Sequence, residues 1–103
     1  MKALEIIALE EVKNDLLAGK KFYDLNCDGI GSYFYDSLLS DIESLFLYAG
    51  IHSKHYGFYR MLSKKFPFAI YYELKKEIVI VVAVLDMRRN PKWIFKSLGK
   101  RIY

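Results

Sequence analysis

The chain has one cysteine and two prolines among its 103 residues, and no run rich in glycine, proline or serine. With Cys27 alone, no intrachain disulfide can form and no cysteine-based metal cluster can assemble within one chain. A nucleophilic thiol would need a histidine beside it, and His52 and His55 lie in a different segment without protease or transferase spacing. The missing linkers exclude a string of modules. At 53% hydrophobic residues the expectation is one globular domain over residues 1–103, with one modest core. Long apolar runs are also missing. Ile78 to Leu85 is the longest, less than half of the roughly 20 residues a spanning helix needs, so it reads as a buried strand and no membrane partner is expected. Glu5, Glu10 and Glu11 follow Met1-Lys2 closely, which leaves no clean signal core and predicts a cytoplasmic protein.

The charge is unevenly placed. Residues 1–63 hold six Lys/Arg against nine Asp/Glu, whereas residues 64–103 hold ten against three. A basic half joined to a mildly acidic one fits a face that meets an anionic partner, and equally fits ordinary solubility charge.

Ala3 to Ile7 can be a first strand or the start of the following helix, the strand being preferred. Leu9, Val12, Leu16, Leu17 and Tyr23 share one face of a helix, whose last turn Gly19 should weaken. Asp24 to Gly31 is dense in turn formers. Aligned on a calcium loop it matches the first six positions but has Tyr35 where the bidentate Glu is needed, so it reads as a helix connection. Ser32 can cap a second helix through Phe34, Leu38, Ile42, Leu45, Phe46 and Ala49, which Gly50 stops. His52 and His55 then read as loop residues, since further zinc ligands are not evident nearby.

From Gly57 the pattern changes to aromatic and β-branched residues. Phe58 to Ser63, Phe66 to Leu74 and Ile78 to Leu85 predict three strands in an antiparallel meander, with Pro67 at a strand start and the last strand apolar on both faces. One of those faces should carry the helical pair; the other needs cover or a partner. Asn90-Pro91 supplies a cap and first helical residue for a short terminal helix closed by Gly99. The fold class is therefore α+β in the order β-α-α-β-β-β-α, two N-terminal helices packed on a small antiparallel sheet.

The run Phe66 to Leu74, a polar turn, Ile78 to Leu85, and then Arg88-Arg89-Asn90-Pro91-Lys92-Trp93 resembles the second half of RelE/ParE-superfamily toxins of type II toxin–antitoxin systems, and the preceding helices resemble the first half. The resemblance implies a growth inhibitor without cofactor or metal, neutralised by a cognate antitoxin. It leaves two targets, DNA gyrase in the ParE-like branch or ribosome-bound mRNA in the RelE-like branch, with a degenerate, non-toxic peptide-binding domain as a third reading. As an endoribonuclease it would use Arg60 with Arg88 or Arg89; as a target- or antitoxin-binding surface it would use Arg60, Arg88, Arg89, Lys92 and Trp93. Against the nuclease stand Ala69, where RelE has an arginine, and Asp86, where many ParE-branch relatives have a histidine. Arg88 and Arg89 have a plainer reading too, as caps of sheet carbonyls or partners of Asp86, and Tyr71, Tyr72 and Tyr103 read as packing residues rather than acids.

Overall fold

Strand and helix alternate in the order the sequence predicts, with two additions. The structure, a computed structural model, describes residue 3 and residues 5–101; Tyr103 and part of the expected Ala3–Ile7 strand lie outside the described residues. The elements are β1 (Glu5–Ala8), α1 (Glu10–Asn26), α2 (Ile30–Glu43), α3 (Leu45–Tyr48), β2 (Lys54–His55), β3 (Phe58–Leu62), β4 (Phe68–Lys75), β5 (Ile78–Asp86) and α4 (Pro91–Gly99). They form one five-stranded sheet in the order β1-β5-β4-β3-β2. β3, β4 and β5 pair antiparallel as expected and β2 adds to β3 antiparallel, but β1 runs parallel to β5, so the sheet is mixed.

In the helices, contacts with distant residues override local propensity. α1 runs through Gly19 to Asn26, because Gly19 is a contact rather than a weak point: a Cβ there would lie 2.4 Å from Phe34 Cε2. Gly31 has the same role against the Lys20 carbonyl, at 2.3 Å. Only Cys27 to Gly29 separates α1 from α2, and Gly29 enters the second helix at φ +89. Ser32 is therefore inside α2 and does not cap it; Asp24 instead accepts the Gly31 N–H at 2.8 Å. The second helix breaks at Ser44, leaving the single turn α3 before Gly50 at φ +92.

β2, unforeseen, forms a tight hairpin with β3 through Tyr56 and Gly57, both at positive φ, the geometry that suits the twist of two-residue hairpins. In β5 the register slips opposite Tyr71 and Tyr72, so that Val82 is an extra, bulged residue.

Two cores result, one on each sheet face. Val12, Leu16, Phe34, Leu38 and Leu45 pack on Phe68, Ile70, Tyr72, Val79, Val81 and Val84. On the other face Ile94 and Leu98 of α4 pack on Ala69, Tyr71, Val82, Ala83 and Leu85. The opposite face of β5 thus has its cover, in which Ile94 and Leu98 each contribute about 1.5–3 kcal/mol by burial. Asn90 starts α4 by accepting the Lys92 N–H at 2.8 Å, ahead of Pro91 at the first turn.

Candidate functional site

The residues singled out from the sequence fall into two groups on the α4 side and end of the sheet. Arg60 lies in β3 opposite Tyr71 of β4, which in turn lies opposite Ala83 of β5. Its guanidinium reaches the Tyr71 phenol, whose pKa burial raises and Arg60 partly offsets. Tyr71 is completely buried, and its hydroxyl donates toward Met87 Sδ at 3.8 Å. Beside it, Ala69 is also completely buried, between Leu62 and Leu85.

Arg88 and Arg89 follow β5 at the far end. Arg88 is held bidentate by Asp86, Nε to Oδ1 at 3.0 Å and Nη2 to Oδ2 at 2.8 Å, while its own N–H also donates to Oδ1 at 2.8 Å. The Arg88 hydrogen bonds hold the Asp86 carboxyl below the usual carboxylate range, and the same contact raises the arginine. Arg89 turns the other way and lies 3.9 Å over the Trp93 ring, a contact that fixes a cation on an aromatic platform. Together they border a cavity of about 330 Å³ that Phe22, Gly19 and Asp15 of α1 close. Lys92 is exposed in the first turn of α4.

The structure does not bring the two groups together. Arg60 is level with Ala83, whereas Arg88 follows Asp86, three residues further along β5 and two strands away, roughly 10 Å in each direction by strand geometry. Cleavage of RNA through the 2′-hydroxyl needs a base, a cation and an acid around one phosphate. Of the groups proposed for it, Arg88 is already neutralised by Asp86.

Three arrangements had no local signal in the sequence. A bidentate ion pair joins Arg101 to Asp15, Nη1 to Oδ2 at 2.6 Å and Nη2 to Oδ1 at 2.8 Å. The pair closes the edge of β5 where β1 has ended: Asp15 accepts the Val84 N–H at 2.9 Å and Arg101 donates to the Val82 carbonyl at 3.1 Å. Burial raises the Asp15 pKa, with Arg101 and Val84 opposing it. Second, the Tyr72 hydroxyl accepts the Gly50 N–H at 2.9 Å and is hydrogen-bonded to His52 Nδ1 at 2.5 Å, and burial lowers the pKa of that imidazole. Third, a cavity of about 590 Å³ opens between α2, α3 and β3, bordered by Asp41, Tyr48, His52, Met61, Leu62 and Lys64. Among the described residues, no three His, Cys, Asp or Glu side chains gather in metal-ligating geometry, and no helix is long and apolar enough to cross a membrane.

No family model matches the sequence, and no curated protein matches it. Among solved structures, the chain is similar to one described as "Chromosomal ParDE TA system from P. aeruginosa", with a TM-score of 0.73 and 13% identity over 85% of this chain and 98% of that chain. At that identity the likeness is one of fold, and it extends over nearly the whole neighbour.

Proposed function

We propose that this chain is the toxin of a type II toxin–antitoxin pair, neutralised in the cytoplasm by a cognate antitoxin, and that it acts in the ParE-like manner, by inhibiting DNA gyrase. The extent of the superposition carries the reading: 98% of a chain from a ParDE system is matched by this fold. The resemblance of residues 66–93 to RelE/ParE toxins points to the toxin side of such a pair.

The choice between branches rests on the sheet face. Asp86 occupies Arg88, a buried Ala69 stands near the start of the middle strand β4, and the Tyr71 hydroxyl is buried against Met87. That arrangement favours a surface that binds a protein target through Arg60, Arg89, Lys92 and Trp93 over one that performs acid–base chemistry on RNA. Induced expression followed by primer extension on cellular mRNA and by capture of gyrase–DNA adducts tests it. The expected result is growth arrest with adducts and without codon-phased cuts. Cuts within minutes would transfer the chain to the RelE-like branch, and unaffected growth would leave only a peptide-binding domain.

A further inference from the structure

We infer that the cavity bounded by α1, the end of β5 and α4 is a binding site for a small aromatic carboxylate, its ring between Phe22 and Trp93 and its carboxylate on Arg89.

The walls are apolar. Phe68, Val84 and Leu85 of the sheet border the space of about 330 Å³ on one side, Ala18 and Phe22 of α1 on another and Trp93 of α4 on a third. That volume lies at the lower end of the range for small-molecule sites, enough for roughly one or two fused rings. Phe22 is 49% exposed although it stands over this space, and a ligand ring would cover it.

Charge makes the site selective. The charged side chains on its border are Asp15, Asp86 and Arg89. Asp15 is chelated by Arg101, and Asp86 by Arg88. Arg89 is left over: among the described residues its guanidinium makes no hydrogen bond and no ion pair, although its charge helps to hold Asp86 ionised. Trp93 fixes that guanidinium 3.9 Å from its ring, so the donors are placed before a ligand arrives. Their planar fork fits a carboxylate with two parallel hydrogen bonds. A cationic ligand finds both carboxylates taken, and a neutral one leaves Arg89 unmatched.

The sheet edge decides against a peptide. Beside the cavity the β5 backbone is already served, the Val84 N–H by Asp15 and the Val82 carbonyl by Arg101. No strand can add there, so a ligand is held by its ring and its charge alone. A nucleotide would meet the same cation, but the apolar walls leave the polar edge of its base without a hydrogen-bond partner.

Trp93 is the only tryptophan of the chain, so its indole N–H gives a single NMR signal that reports on the site. The experiment titrates the full chain with benzoate, naphthoate and indolecarboxylate, each beside its carboxamide, and with adenosine and guanosine monophosphates. At least one acid should saturate the shift of that signal with a Kd of about 10 µM to 1 mM, and its carboxamide should bind at least about fivefold more weakly. Arg89→Gln should weaken the acid to about the level of the carboxamide. Ala18→Leu fills the mouth from an exposed helix position and should weaken acid and carboxamide alike, about tenfold. Should Ala18→Leu fold poorly, nuclear Overhauser contacts between the ligand ring and the Ala18 and Val84 methyl groups of the parent chain decide. Saturation by no acid below about 5 mM overturns the inference. So does a carboxamide that binds as tightly as its acid, a Kd unmoved by Ala18→Leu, or a nucleotide that binds more tightly than every acid. All arms use purified protein, so their outcome is separate from whether the chain arrests growth.

Discussion

Arg101 reaches across the sheet edge to chelate Asp15, 86 residues away in sequence, and with it closes the stretch of β5 that β1 leaves unpaired. Both side chains are nearly buried, 13% and 12% exposed. Removing one partner of such a pair strands a charge, whereas replacing both removes the penalty along with the attraction. Arg101→Ala is expected to cost about 2–3 kcal/mol, a drop of roughly 10–20 °C in Tm for a domain of this size. The double variant Asp15→Asn/Arg101→Met, which keeps an acceptor for the Val84 N–H, should recover most of that loss. Equal melting of single and double variants would show that the pair does not hold the edge.

The same pair sets a pH dependence. Burial places the folded Asp15 pKa above its ordinary 3.8, so the folded state takes up this proton more readily than the unfolded chain. The contribution of Asp15 is present below 3.8 and is lost as pH rises through the folded value. In Arg101→Ala the opposing cation is gone and the carboxyl titrates higher still. Its deficit against the parent should therefore be largest at neutral pH and shrink near pH 4, as denaturant melts at several pH values will show. A deficit constant with pH would place the cause elsewhere.

At Gly19, helix propensity alone predicts that alanine stabilises by about 1 kcal/mol. The contact predicts the opposite, because the added Cβ would stand 2.4 Å from the Phe34 ring. Overpacking of this kind costs about 1–3 kcal/mol, so Gly19→Ala should melt lower, and Phe34→Leu should restore part of the loss in the double variant. Gly31→Ala should be worse, since its neighbour is the Lys20 backbone carbonyl, which cannot turn aside.

Gly19 also marks the boundary of what the sequence discloses. Period-two alternation and the Asn90-Pro91 cap are local signals, and β3, β4, β5 and α4 were readable within a residue or two. A glycine chosen for its neighbour on another helix carries no such signal, and it reads as a weak helix turn. β2 is two residues long, too short for any period, and His52 meets its partner Tyr72 20 residues later. Of the proposed site, the Asp86–Arg88 pairing was legible because the residues are two apart; the separation of Arg60 from Arg88 was not, because it depends on strand order and register.

His52 provides a second titration, of opposite sign in effect. Its folded pKa is lowered from 6.5 by burial, so the unfolded chain binds this proton more readily. The stability it contributes is present above 6.5 and is lost as pH falls through the folded value. Protonation would also leave Nδ1 able only to donate to the Tyr72 hydroxyl. The parent should lose stability between pH 7 and 5, and His52→Gln should flatten that slope. Tyr72→Phe, which strips Gly50 of its acceptor, should cost about 1–2 kcal/mol at pH 7.

The proposed target surface makes Arg88 and Arg89 unequal although they are adjacent. Asp86 already takes both ends of the Arg88 guanidinium, so Arg88→Ala removes little free positive charge, and as an exposed pair it should cost less than about 1 kcal/mol of stability. Arg89, held on Trp93, presents its cation in a fixed place at the mouth of a cavity. Arg89→Ala and Trp93→Ala should therefore relieve growth arrest, while Arg88→Ala leaves it nearly unchanged. Asp86→Ala adds the decisive comparison, because it frees Arg88 without removing any cation and should maintain or strengthen arrest. A phosphate-binding nuclease centred on Arg88 would give the reverse order, with Arg88→Ala abolishing toxicity. Dilution plating of the four variants, with protein levels matched by immunoblot, distinguishes the two orders.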